Sequence, residues 1–79
     1  MSNKEKYDQA FIESFSVSPD ALNAELVYQS IPEWDSVGHM GLIAALEEAF
    51  DIMMETEDII EFSSYSVGIE MMKKYKIEI

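Results

Sequence analysis

Three stretches of the chain repeat apolar residues at the spacing of a helix with one dry face. In the first, Tyr7, Phe11 and Phe15 recur at every fourth position, Ala10 and Ile12 widen the stripe, and Asp8, Gln9 and Glu13 lie between them. Residues so spaced share one side of a helix and pack into a core. Ser2 and Glu5 stand in the S-x-x-E order of a capping box, in which each side chain satisfies an amide left free at a helix start. The pattern predicts a helix over residues 3–15.

The second stretch, Ser36 to Phe50, is the most regular. Around the helix axis Leu42, Ile43, Leu46, Ala49 and Phe50 fall on one side, with His39 at its edge, and this is the expected core face. The opposite side carries Ser36, Val37, Met40, Gly41, Ala44, Glu47 and Glu48. An exposed apolar strip with acids at its far end has the character of a contact surface, unless other helices cover it. Asp35 suits the N-cap, its carboxylate accepting from the amide of Val37 or Gly38. In the third stretch Val67, Met71 and Tyr75 form a stripe, and Ser66 opens a helix over Val67 to Tyr75. Lys73, Lys74 and Lys76 gather at its C-terminal end, where positive charge suits the helix dipole, and Gly68 weakens its first turn.

The intervening segments have no single period. Ser18-Pro19-Asp20 reads as one short turn, with Ser18 as cap and Pro19 at the first position. Leu22, Leu26, Val27, Tyr28 and Ile31 are scattered along a long connection that they are expected to tether across the helices, and Ile31-Pro32 forces an extended entry to the second helix. After Asp51 and Ile52, Thr56 is expected to cap a short helical segment, Glu57 to Phe62. The sum is an all-α four-helix bundle, three main helices and a short third with a long first loop, in one domain over residues 1–79.

Composition narrows the function. A chain of 79 residues has a thin stability margin, and without cysteine neither disulfides nor thiolate metal sites can staple it. Sixteen acidic residues against 5 basic ones give a net charge of −11, which excludes a phosphate-binding face for nucleic acid and favours encounter with basic protein surfaces. No apolar run approaches the roughly 20 residues of a membrane span. Met-Ser-Asn-Lys-Glu at the start lacks the apolar run of a secretory signal. The expectation is a cytoplasmic, monomeric domain without a membrane span.

Asp35, Ser36 and His39 are the residues that invite a catalytic reading. Within one helical turn, however, Asp and Ser cannot easily reach opposite nitrogens of one imidazole, as a triad requires, and the G-x-S-x-G elbow is absent. The packing of His39 on Trp34, across the helix cap, explains the histidine more simply. Asp51 to Asp58 lacks the spacing and central glycine of a calcium loop, so no metal and no catalytic residue is expected. Ser36 remains. Asp35 already supplies the cap, which leaves Ser36 exposed at the first helical position. A phosphodiester there would meet free amides at the positive end of the helix dipole.

Asp35-Ser36-Val37 resembles the Asp-Ser-Leu motif of acyl carrier proteins. The longer run from Trp34 to Met40, with Leu42-Ile43 and Leu46-Glu47-Glu48-Ala49-Phe50, is similar to free-standing members of that family, and the likeness extends over essentially the whole chain. The resemblance implies that a phosphopantetheinyl transferase moves 4′-phosphopantetheine from coenzyme A onto Ser36. The added thiol then carries an acyl group as a thioester, and the chain itself has no cysteine that could do so. It further implies that Asp35 contacts the transferase. Val37, Met40, Ala44, Glu47 and Glu48 would dock partner enzymes: an acyl-loading ligase or acyltransferase and the downstream enzymes of a pathway. Met54, Ile59 and Met71 are candidates to line an acyl-binding space. Val37 in place of leucine, Gly38 and Gly41 in place of acids or bulk, and the small Ala44 make the front of the docking face flatter and less acidic. That points to a specialised lipid or secondary-metabolite pathway. An aminoacyl or peptidyl carrier shares these features, and a small acidic adaptor without a prosthetic group is the alternative of another class.

Overall fold

Four helices and one short 3-10 turn make up the regular structure of the computed structural model, which describes residues 2–79. Helix α1, Asn3–Phe15, begins with the expected capping box. The Glu5 amide donates to Ser2 Oγ at 3.1 Å, and the Ser2 amide donates to Glu5 Oε1 at 3.2 Å. Its stripe is buried, with Tyr7, Phe11 and Phe15 fully covered. Ser16, in the left-handed region with φ 55°, ends it.

Helix α2, Ser36–Phe50, runs antiparallel to α1. Phe15, at the end of α1, stacks on Trp34 beside the start of α2, with ring centroids 5.1 Å apart. At the other end the Lys6 ammonium lies over the Phe50 ring. Leu42, Ile43 and Leu46 face the core as expected, with Ala49 and Phe50 half-buried at the end of the helix. Gly38 has its own packing reason. A Cβ at this position would lie 1.9 Å from the Glu33 carbonyl oxygen, so only glycine lets the entry segment close onto the first turn. Gly38 therefore does not belong to the outer strip, whereas Gly41 does face open space.

The 3-10 turn spans Pro19–Ala21, and the Ser18 side chain makes no capping bond to it. The connection that follows is tied down by Leu26 and Trp34, both buried, while Val27 stays exposed. Its backbone is tied to the junction before the last helix. The Tyr28 amide donates to the Ser63 carbonyl at 2.8 Å, the Tyr65 amide donates to the Leu26 carbonyl at 2.9 Å, and Val27 and Ser64 form an isolated antiparallel bridge.

Both C-terminal helices start elsewhere than expected. Helix α3, Thr56–Glu61, has Glu55 at its N-cap and no side-chain cap, so Thr56 is its first residue and does not cap it. Helix α4, Tyr65–Lys74, is capped by Ser64, whose hydroxyl accepts from the Val67 amide; Ser66 is an exposed residue of its first turn. The buried face is Tyr65, Gly68 and Met72 and not the expected stripe: Val67 is exposed and Met71 and Tyr75 are half-buried. The bridge to Val27 holds Ser64 extended, and close packing selects Gly68: a Cβ there would lie 2.1 Å from Tyr7 Oη and 2.3 Å from the Phe62 ring. Among the described residues there is no strand, and no helix is long and apolar enough to cross a membrane.

Candidate functional site

The site is built on the entry to α2. Trp34 occupies the position before the N-cap and His39 the fourth helical position, the two places joined by a hydrophobic staple. Here the staple is also polar. The two rings lie nearly coplanar, edge to edge, with an interplanar angle of 16° and centroids 6.2 Å apart, and Trp34 Nε1–H donates to His39 Nδ1 at 2.9 Å. His39 Nδ1 is therefore the acceptor and Nε2 carries the proton, which it donates to the Ile59 carbonyl at 2.7 Å. The imidazole thus fastens the first turn of α2 to α3.

Asp35 caps α2 by accepting from the Gly38 amide at 2.8 Å. Ser36 follows as the first helical residue and is exposed. Its amide and that of Val37 find no acceptor among the described residues, as is usual at a helix start. Ser36 Oγ lies 3.2 Å from Tyr28 Oη. The Tyr28 ring meets His39 and Trp34 edge-on, at 5.6 and 6.5 Å between centroids. Asp35, Ser36 and His39 do not form a triad: the aspartate faces an amide, and both imidazole nitrogens are engaged away from the serine.

Beside Ser36 lies an open groove of about 420 Å³, floored by Tyr28, His39, Ile59 and Phe62 and edged by Met40, Ile60 and Ser63. Its surroundings are apolar and unusually bare. Val37 is 81% exposed, Met40 54% and Ile60 75%. Of the three residues considered for an acyl-binding space, only Ile59 lines this groove; Met54 is in the core and Met71 packs against it.

Asp35, Val37, Met40, Ala44 and Glu48 are all exposed, as the helical wheel requires. Glu47 differs. It is half-buried, and its Oε2 accepts from the Met54 amide at 2.9 Å, so it supports the turn after α2 as well as edging the strip. Asp58 is also not a surface acid. It is 2% exposed and takes Lys74 Nζ at 2.8 Å together with the Tyr75 hydroxyl, which itself accepts from the Glu55 amide. The hydrogen bond from Lys74, then that from Tyr75, holds the Asp58 carboxyl below its ordinary range, and this cluster pins α3 to α4. On α1, burial pushes the Tyr7 phenol well above its usual value, and its hydroxyl donates to the Tyr65 carbonyl at 2.6 Å.

Tyr28, Ile60 and Ser63 are site residues that periodicity does not single out. Tyr28 lies in an aperiodic connection, Ile60 belongs to a helix too short to show a face, and Ser63 lies in the junction between α3 and α4. The one available signal was Tyr28 itself, an aromatic hydroxyl in a stretch otherwise held down by aliphatic residues. Among the described residues no cluster of histidine and carboxylate side chains could hold a metal ion. Comparison with family models, curated proteins and solved structures finds no match to this chain.

Proposed function

We propose that this chain is an acyl carrier protein, with an acyl-carrier-type bundle that presents Ser36 for attachment of 4′-phosphopantetheine. One observation carries the reading: the exposed hydroxyl at the head of α2 is spared from capping by Asp35 and opens directly on an apolar groove. The residues fit the group. The unbonded amides of Ser36 and Val37 suit the negative phosphodiester, and Tyr28 and Ser63 supply hydroxyls beside an apolar floor. When attached, the group supplies a terminal thiol that holds cargo as a thioester, a function the cysteine-free chain lacks.

The chain's own residues present and recognise. His39 is occupied at both nitrogens and is not a base for Ser36, which is read as an acceptor that another enzyme modifies. Asp35 and the strip of Val37, Met40, Ala44 and Glu48 form the surface offered to the transferase, to a loading ligase or acyltransferase, and to later pathway enzymes. The bare apolar rim of Met40 and Ile60, over a floor that includes Ile59, favours acyl cargo over the polar backbone of an aminoacyl or peptidyl cargo.

Intact-mass measurement after incubation with coenzyme A and a broad-range phosphopantetheinyl transferase tests the assignment. One phosphopantetheine adduct is expected on the wild-type chain and none on Ser36→Ala. No adduct under conditions that load a control carrier would leave the acidic adaptor as the better reading.

A further inference from the structure

We propose that Tyr28 is a positioning residue for the Ser36 hydroxyl, donating to Ser36 Oγ during attachment and to the same oxygen afterwards. This rests on the carrier reading given above. Ser36 is an exposed side chain with a single hydrogen-bond partner among the described residues, the Tyr28 hydroxyl at 3.2 Å. Left alone, a surface serine samples all its staggered rotamers. Tyr28 is not left alone. Its amide is bonded to Ser63, and its ring is wedged edge-on against His39 and Trp34, which are bonded to each other and to α3. A held phenol beside a free hydroxyl selects one serine rotamer, the one on the groove side.

The chemistry of attachment assigns the donor. Ser36 Oγ forms a bond to the pantetheine-bearing phosphorus of coenzyme A. The phosphorus–oxygen bond to adenosine 3′,5′-bisphosphate breaks, and the bisphosphate leaves with the electron pair. The Ser36 proton passes to a base of the transferase. If Ser36 donated to Tyr28, its proton would point away from that base. With Tyr28 Oη–H as donor, Ser36 keeps its own proton for the base and a second lone pair for phosphorus. Negative charge developing on Oγ is stabilised by the same bond. After transfer Oγ is an ester oxygen without a proton, so Tyr28 can remain only as the donor.

Tyr28→Phe removes the hydroxyl and keeps the ring that packs on Trp34 and His39. Its loading is measured with coenzyme A and a broad-range transferase, by intact mass and by initial rates over a range of carrier concentrations. The loss of one oriented hydrogen bond is expected to lower kcat by about three- to tenfold with KM for the carrier nearly unchanged. A fall confined to KM would mean a docking role and overturn the proposal. So would rates equal to wild type. In the loaded proteins the phosphorus resonance should differ between wild type and Tyr28→Phe, and identical spectra would count against the retained bond. Thermal melts of the two unloaded proteins should coincide, which separates positioning from support of the fold. If the wild-type chain itself takes no adduct while a control carrier does, the carrier reading fails, and the role of Tyr28 falls with it. An adduct on wild type with unaltered Tyr28→Phe kinetics removes the role of Tyr28 alone.

Discussion

Trp34 and His39 form a single polar and aromatic unit, with the indole Nε1–H donating to His39 Nδ1 at 2.9 Å and the two rings nearly coplanar, edge to edge. The unit settles two matters at once. It makes Nδ1 the acceptor, and it sends the proton on Nε2 to the Ile59 carbonyl in α3. The start of α2 and the wall of the groove beside Ser36 are thereby one piece.

Replacing His39 with alanine should free α3 and spare most of the core. The substitution leaves a buried indole N–H and the Ile59 carbonyl without partners, a cost of about 2–4 kcal/mol for the two groups. Chemical denaturation measures the loss. Hydrogen exchange should locate it, with the amides of α3 exchanging faster than those of α1. Uniform acceleration across all helices would show that the histidine is only a core filler.

Gly38 and Gly41 should respond to alanine with opposite signs. At Gly38 the new Cβ collides with the Glu33 carbonyl, and the entry turn carrying Trp34 must shift, an overpacking cost of about 1–3 kcal/mol. At Gly41 the Cβ meets nothing within 4 Å, and alanine gains about 1 kcal/mol of helix propensity. Urea midpoints of the two variants against wild type decide the matter, and equal shifts of one sign would refute the contrast.

Glu47 and Glu48 are neighbours on the outer strip that should separate in their effects. Glu47→Lys removes the acceptor of the Met54 amide and should cost about 1–2 kcal/mol. Glu48→Lys touches an exposed side chain and should change stability by less than about 0.5 kcal/mol. If the strip docks a basic transferase, Glu48→Lys should slow phosphopantetheine transfer at low salt and less so at high salt, where the attraction is already screened. Wild-type transfer rates at low salt would limit the role of this acid to solubility.

The Asp58 cluster should contribute stability at neutral pH and lose it in acid. The folded-state carboxyl is held below its ordinary value of 3.8 by Lys74 and then Tyr75. Its contribution is therefore complete above that value and disappears as pH falls through the lower, folded-state one. Thermal melts of wild type and Asp58→Asn should differ most near neutrality and converge in strong acid. A difference that stays constant with pH would mean that the carboxylate's charge plays no part.

Local chemistry was enough to specify α1 and α2 to the residue. The Ser2–Glu5 box and the Asp35 cap are contacts between residues three apart in the chain, and the inner and outer faces of α2 follow from the geometry of one helix. The prominence of Ser36 was legible for the same reason: a cap that already has its side chain leaves the next hydroxyl free. The tertiary structure decided the rest. Ser64 rather than Ser66 opens α4 because Leu26 and Val27, distant in sequence, pair with that segment. Asp58 is buried because Lys74 and Tyr75 come to it from another helix, and Glu47 turns to an amide beyond the end of its own. The groove beside Ser36 draws its walls from the first connection, α2, and α3 with the residues that follow it, segments without a shared period. Periodicity reports which residues of one helix lie together; it carries no information on which segments meet across the core, and it is that meeting that brings Tyr28 to Ser36.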